Sequence, residues 1–109
     1  MSNSLSLIDT WVKAAVEHNT VKIRYYSGPI KNEITDREIE PDFIIANDNW
    51  RDFGCGGFCR LRNQPRVFNI EGILDWKITE NKYTPNPNGR WRELKAYYQR
   101  NNLDKIQPL

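Results

Sequence analysis

The run Phe53-Gly54-Cys55-Gly56-Gly57-Phe58-Cys59-Arg60-Leu61-Arg62 crowds two thiols, three glycines and two guanidiniums into ten residues. Those residue types suit three chemistries: a thiolate metal site, a phosphate-cradling glycine loop, or an anion-binding strand. Cys55 and Cys59 stand four apart, a span of about 13 Å on a strand. That is too far to share an ion whose bonds to sulfur are about 2.3 Å, and too far for a disulfide. A helix would bring the thiols together, but Gly54, Gly56 and Gly57 disfavour one, and no nearby Cys or His completes a ligand set. A phosphate loop needs its glycines to open a helix. Here the residues that follow alternate like a strand, and the Lys-Ser/Thr pair is absent.

The strand reading survives. It places Phe53, Cys55, Gly57, Cys59 and Leu61 on one small, apolar face, with Phe58, Arg60 and Arg62 on the other. The cysteines are then packed, inert thiols. A turn at Asn63-Gln64-Pro65 brings Arg66 back beside Arg62, and guanidiniums so grouped repel unless an anion lies between them. Glu33, Asp36, Glu38, Glu40 and Glu71 are the nearby carboxylates that would make the cluster an ordinary charged face. The functional alternative is a phosphate site, since guanidinium forks match phosphate oxygens in pairs. Tyr25, Tyr26 and Phe58 would supply faces on which bases stack.

Other candidates carry less. Asp36, Glu38 and Glu40 share a strand face and suggest a metal site, but such a row more often protects an exposed edge. His18 is the only histidine; near the end of a helix its role is to complement the helix dipole. Trp11, Trp50, Trp76 and Trp91 are expected to anchor a core. No metal, no cofactor and no catalytic residue is expected.

The positioning elements follow from periodicity. Ser4 or Ser6 caps a helix over LIDTWVKAAVEHN, where Leu7, Ile8, Trp11, Val12, Ala15 and Val16 form one stripe. TVKIRYY alternates as a first strand, and NEITDREIEP is a second that ends at Pro41. DFIIA is a short apolar piece, NDN a turn, and 51–62 the third strand. RVFNI is a fourth strand, EGIL a helical turn, and DWKIT a fifth strand. NKYTPNPNG is irregular. RWRELKAYYQRNN is a second helix, followed by a loose tail from Leu103.

At 109 residues, 39% hydrophobic and with a net charge of +2, the chain is long enough for one modest core and too weakly basic for its charge alone to imply a polyanion partner. The start MSNSLSLIDTW lacks the pattern of a secretory signal, and no stretch has the roughly 20 apolar residues of a membrane span. A cytoplasmic protein is expected. Consecutive short strands without crossover helices predict an α+β, mainly β fold: a small antiparallel five-stranded barrel or curled sheet, with an N-terminal and a C-terminal helix. The expected division is a barrel domain with its helix over 1–79, and a linker with the second helix over 80–109.

In order and spacing these segments resemble the WYL domain family. VKIRYYS is similar to its first strand, with Arg24 and Tyr25 at the end. DREIEP is similar to its second, with Arg37 and Pro41. GGFCRLRNQPRVFNIEGI resembles its later hairpin through Phe58, Cys59, Arg62, Arg66, Phe68 and Ile73. The name-giving triplet falls on Phe53, Gly54 and Cys55, or on a shifted register from Trp50, and Asn69 and Gly72 stand where further arginines are usual.

The resemblance implies an Sm-like barrel acting as a non-enzymatic sensor in transcription regulation or phage defence. It binds a nucleotide or short single-stranded nucleic acid through Arg37, Arg60, Arg62 and Arg66, with Tyr25 and Phe58 as stacking faces. It regulates through a protein partner or as a homo-oligomer, away from membranes. The competing expectation is an interaction or self-assembly module without nucleic acid, suggested by Trp91, Tyr97 and Tyr98 on the second helix.

Overall fold

A computed structural model describes residues 5–46 and 53–106. Trp50 and the turn expected at 47–49 lie outside these residues. Helix α1 (Leu7–Glu17) starts where the Ser6 hydroxyl accepts from the Asp9 amide at 3.1 Å, the capping partnership expected of serine. Its apolar stripe buries Leu7, Trp11, Ala14 and Ala15. It ends at His18, which adopts the left-handed conformation (φ 63°) and donates its backbone N–H to Ala14 O. His18 thus caps the helix through its own backbone. Burial first, then Lys82 and Lys95, pushes its pKa below the ordinary value.

Five antiparallel strands follow: β1 (Asn19–Tyr26), β2 (Ile34–Ala46), β3 (Phe53–Cys59), β4 (Gln64–Asn69) and β5 (Ile73–Lys82). Their order in the sheet is β4-β3-β2-β1-β5. The second strand and the short apolar piece of the sequence reading are one strand: Pro41 does not end it, because the register with β3 shifts between Pro41 and Phe43. A bulge there removes the demand for a ladder hydrogen bond that proline cannot donate.

The fold is α+β as expected, but the barrel is not closed. β4 and β5 are the two edges, and no ladder joins them among the described residues. Curl is nonetheless strong: Phe68 on β4 and Tyr25 on β1, with two strands between them in the sheet, meet edge to face with ring centroids 5.0 Å apart.

The core fills the inside of this curl with Val21, Ile23, Ile39, Cys55, Cys59, Phe68, Ile73 and Ile78, with α1 over one end. The Trp11 indole, fully buried, donates to Gly56 O at 3.1 Å and fixes the helix on β3. Gly57 allows β2 and β3 to approach: a methyl group there would collide with the backbone carbonyl of Glu40.

The C-terminal segment packs on the same chain. The Tyr83 hydroxyl donates to Pro41 O at 2.6 Å, and the bulged Asp42 accepts from the Arg90 and Trp91 amides at 2.8 and 3.0 Å. The expected single helix is a 3-10 turn (Trp91–Leu94) and a short α2 (Lys95–Arg100). Tyr97 and Tyr98 donate to the α1 carboxylates Asp9 and Glu17, each at 2.7 Å. The expected loose tail begins with a packed residue: Leu103 is buried, and its carbonyl accepts from the equally buried Lys13 ammonium at 2.7 Å.

Candidate functional site

Alternation along β3 puts Cys55, Gly57 and Cys59 on the core face, as the sequence suggested, and Phe58 on the outer one. Both cysteines are free and buried, and burial pushes the Cys55 thiol up to about 12.

Arg60 belongs to the outer face. Its guanidinium bonds Glu40 at 3.1 Å and Glu38 at 3.2 Å, so carboxylates neutralise it. Glu38 is held below the usual carboxylate range by the Thr20 hydroxyl first, then the Asn81 amide, with Arg60 contributing less. The row Asp36, Glu38 and Glu40 is thereby absorbed in ion pairs, Asp36 with Arg24 at 2.9 Å. An open groove of about 490 Å³ over this face is lined by Lys22, Arg24, Asp36, Glu38, Asp75 and Lys77. There cationic β1 lies between partners of both signs and needs no ligand for balance.

Arg66 does not join Arg60. Residues 60–63 form the turn, Cys59 pairs with Gln64, and Arg66 pairs with Gly57, so Arg66 stands on the core side. Arg62 sits exposed in the turn itself. The sequence expectation of Arg60, Arg62 and Arg66 on one surface is corrected by this parity. Phe58 pairs with Pro65 and Glu40 and lines a separate outer cleft with Tyr83 and Trp91, away from Arg37.

What the fold does assemble lies on the core face, around Tyr25. Arg37 on β2 is only 4% exposed, yet it pairs with no carboxylate among the described residues. Its guanidinium carbon stands 5.6 Å from the Tyr25 ring centroid and 5.5 Å from that of Phe68. Nε donates to the Thr35 hydroxyl at 2.9 Å, and NH1 faces the Cys59 sulfur at 3.9 Å. Arg66, half-buried and without a side-chain partner among the described residues, is two residues from Phe68 on the same strand face.

Gly72 keeps the Tyr25 ring in place, since a side chain at 72 would come within 2.7 Å of that ring and of the Tyr26 carbonyl. Where the resemblance led one to look for an additional arginine, an aromatic wall stands instead. Of the residues expected from sequence, Tyr25 and Arg37 come together, Arg66 shares only the core face, Arg62 lies in the turn, and Arg60 and Phe58 face away. Phe68 and Thr35 are the members that sequence reasoning did not select. Phe68 had been noted only as part of a motif, and no local spacing reveals a contact made across a curled sheet.

The Arg37 guanidinium is thus buried against two rings that touch each other, and its charge is not balanced by a carboxylate among the described residues. No cluster of His, Cys, Asp or Glu able to hold a metal ion occurs among the described residues. No helix among them is long and apolar enough to cross a membrane. Fold and site together thus define a small α+β domain with a buried arginine on the inside of its curled sheet. The WYL domain model matches residues 6–78, and the chain belongs to the WYL domain family, whose known members are regulatory and not catalytic.

Among solved structures the chain is similar in fold to proteasome accessory factor B/C (PafBC) of Arthrobacter aurescens. The TM-score is 0.66 and the identity 18%, over 92% of this chain and 14% of that one. This chain therefore corresponds to a small part of that protein. No curated protein matches it.

Proposed function

We propose that this domain is a non-catalytic regulatory module that binds a nucleotide or a short single-stranded nucleic acid, in transcription regulation or phage defence. Arg37 holds a phosphate, Tyr25 and Phe68 frame it, and Arg66 and Arg62 meet further phosphates. The observation that carries this reading is the buried Arg37, packed against two touching aromatic rings and without a carboxylate partner among the described residues. Family membership supports the regulatory role. The assembly alternative loses its main argument, because Tyr97 and Tyr98 are engaged on α1 of the same chain.

The test is fluorescence anisotropy with short labelled DNA and RNA single strands at several salt concentrations. Three phosphate contacts on a single strand predict a log–log salt slope of about −2. Changing Arg62 and Arg66 to alanine should weaken binding and flatten that slope. Affinity indifferent to salt, or unchanged in the double variant, would refute the proposal.

A further inference from the structure

We infer that the tip of the β1–β2 connection docks into an acidic, aromatic cleft on a second copy of this chain, so that the domain associates with itself tip to cleft. This goes beyond the function proposed above and uses none of its residues. The tip, residues 27–33, carries Ile30, which is 98% exposed, more than any other large hydrophobic side chain among the described residues. The loop that holds it out is tied down. The Asn32 amide donates to Gly28 O at 2.7 Å, the Ser27 amide to Glu33 O at 2.9 Å, and the Tyr26 hydroxyl to Asn32 Oδ1 at 3.3 Å. Gly28 (φ 96°) and Asn32 (φ 52°) supply the left-handed backbone of this turn. An apolar side chain on a loop already fixed loses little freedom when it docks. Lys31 follows it, exposed and without an ion pair among the described residues.

The cleft lies between β2, β3 and the C-terminal segment, and Phe43, Phe58, Tyr83 and Trp91 are among its walls. Its volume is about 200 Å³, below the roughly 300–1,000 Å³ of small-molecule sites, and suits one or two side chains. Glu40 and Asp42 also line it. Glu40 shares the single Arg60 with Glu38, and Asp42 accepts from two backbone amides but forms no ion pair among the described residues. The cleft is therefore negative as well as apolar. After burial, these two carboxylates are what push the Tyr83 phenol above its ordinary pKa, so their field reaches the wall of rings. An aliphatic side chain followed by an ammonium matches both properties, and Ile30-Lys31 is such a pair.

The tip precedes Ile34 at one end of β2, and Asp42 stands about 25 Å further along that strand. A chain therefore cannot fill its own cleft, and the occupant is a neighbour's tip. Two copies that exchange tips close as a dimer, and copies joined in series form a longer assembly.

Sedimentation velocity of the full chain over a wide range of concentration reads the association, and the mass distinguishes dimer from series. The mean mass should rise with concentration, and Ile30→Asp or Phe58→Lys should weaken association at least about tenfold. Asp42→Asn keeps an acceptor for the two amides without the charge; it should weaken association and lower its sensitivity to salt. Far-UV circular dichroism checks the fold of each variant. At a concentration where neither Ile30→Asp nor Phe58→Lys associates alone, their mixture should form one-to-one pairs. The first chain keeps its cleft and the second its tip. A parent that stays monomeric overturns the inference and leaves the cleft to a segment of another protein. Association unchanged in both variants, or a mixture that stays monomeric, also overturns it, because the contact then lies elsewhere.

Discussion

Replacing Arg37 by methionine should yield a domain that melts at a higher temperature and has lost its ligand. Burying an ion costs several kcal/mol even after relaxation, here taken as about 5 kcal/mol. Against this stand two ring contacts of about 0.5–2 kcal/mol each. The hydrogen bond from Nε to Thr35 adds about 1 kcal/mol. The NH1 approach to the Cys59 sulfur, at 3.9 Å, is weak. Folding is therefore left bearing a net burden of up to about 3 kcal/mol at this residue.

Methionine has a similar stem and makes favourable sulfur–ring contacts, so it fills the space beside the Tyr25 and Phe68 rings without a charge. A gain of about 1–2 kcal/mol corresponds to a rise in Tm of about 5–15 °C for a domain of this size. Thermal unfolding followed by circular dichroism reads the first half of the prediction, and strand-binding anisotropy the second. A variant melting more than about 4 °C below the parent would show that Arg37 supports the fold, and the argument for a ligand-directed arginine would fail.

Three further outcomes are expected. Gly57→Ala should destabilise by about 3 kcal/mol, because its methyl meets the Glu40 backbone, whereas Gly56→Ala should lose only about 1 kcal/mol, because the Phe43 ring can swing aside. Equal urea midpoints for the two would contradict this account of the close strand approach. His18 has a lowered pKa in the folded protein, so the unfolded chain takes up its proton first and stability falls as pH drops below 6.5, levelling off once the folded-state value is passed. His18→Asn, which tolerates the left-handed backbone, should remove that slope above pH 5, with the depressed Glu38 acting only at lower pH. Both thiols should resist an aromatic disulfide reagent in the native protein and react on unfolding; prompt native labelling of either would contradict their burial.

The alternation of Val21, Ile23 and Tyr25 and the small-residue face of Cys55, Gly57 and Cys59 were legible because strand period and burial coincide there. Two features were not. Pro41 reads as a strand end, since proline lacks a donor, and only a bulge one residue later, a register property, lets β2 continue. The faces of Arg60 and Arg66 hinge on the parity of the turn. Asn63 takes the left-handed conformation (φ 56°), and a four-residue turn at 60–63 sends Arg66 to the side opposite Arg60. A turn shorter or longer by one residue would have reversed that. Arg37 was selected by family likeness, but its burial against the Tyr25–Phe68 ring pair follows from sheet curvature, which no window of sequence encodes. The packed Leu103 was missed for a related reason: its partner, Lys13, lies 90 residues away.

The curl that brings Phe68 onto Tyr25 is fastened by side chains, while the outer edges of β4 and β5 have no neighbouring strand among the described residues. Amide hydrogens should therefore exchange with solvent in a gradient across the sheet, slowest in β1 and β2 and fastest at the two rims. A guest held by Arg37 on β2 and Arg66 on β4 would act as a clasp between the interior of the sheet and one rim. Occupancy would then be written as slower exchange along β4, giving the domain a mechanical output at an edge where another polypeptide can feel it.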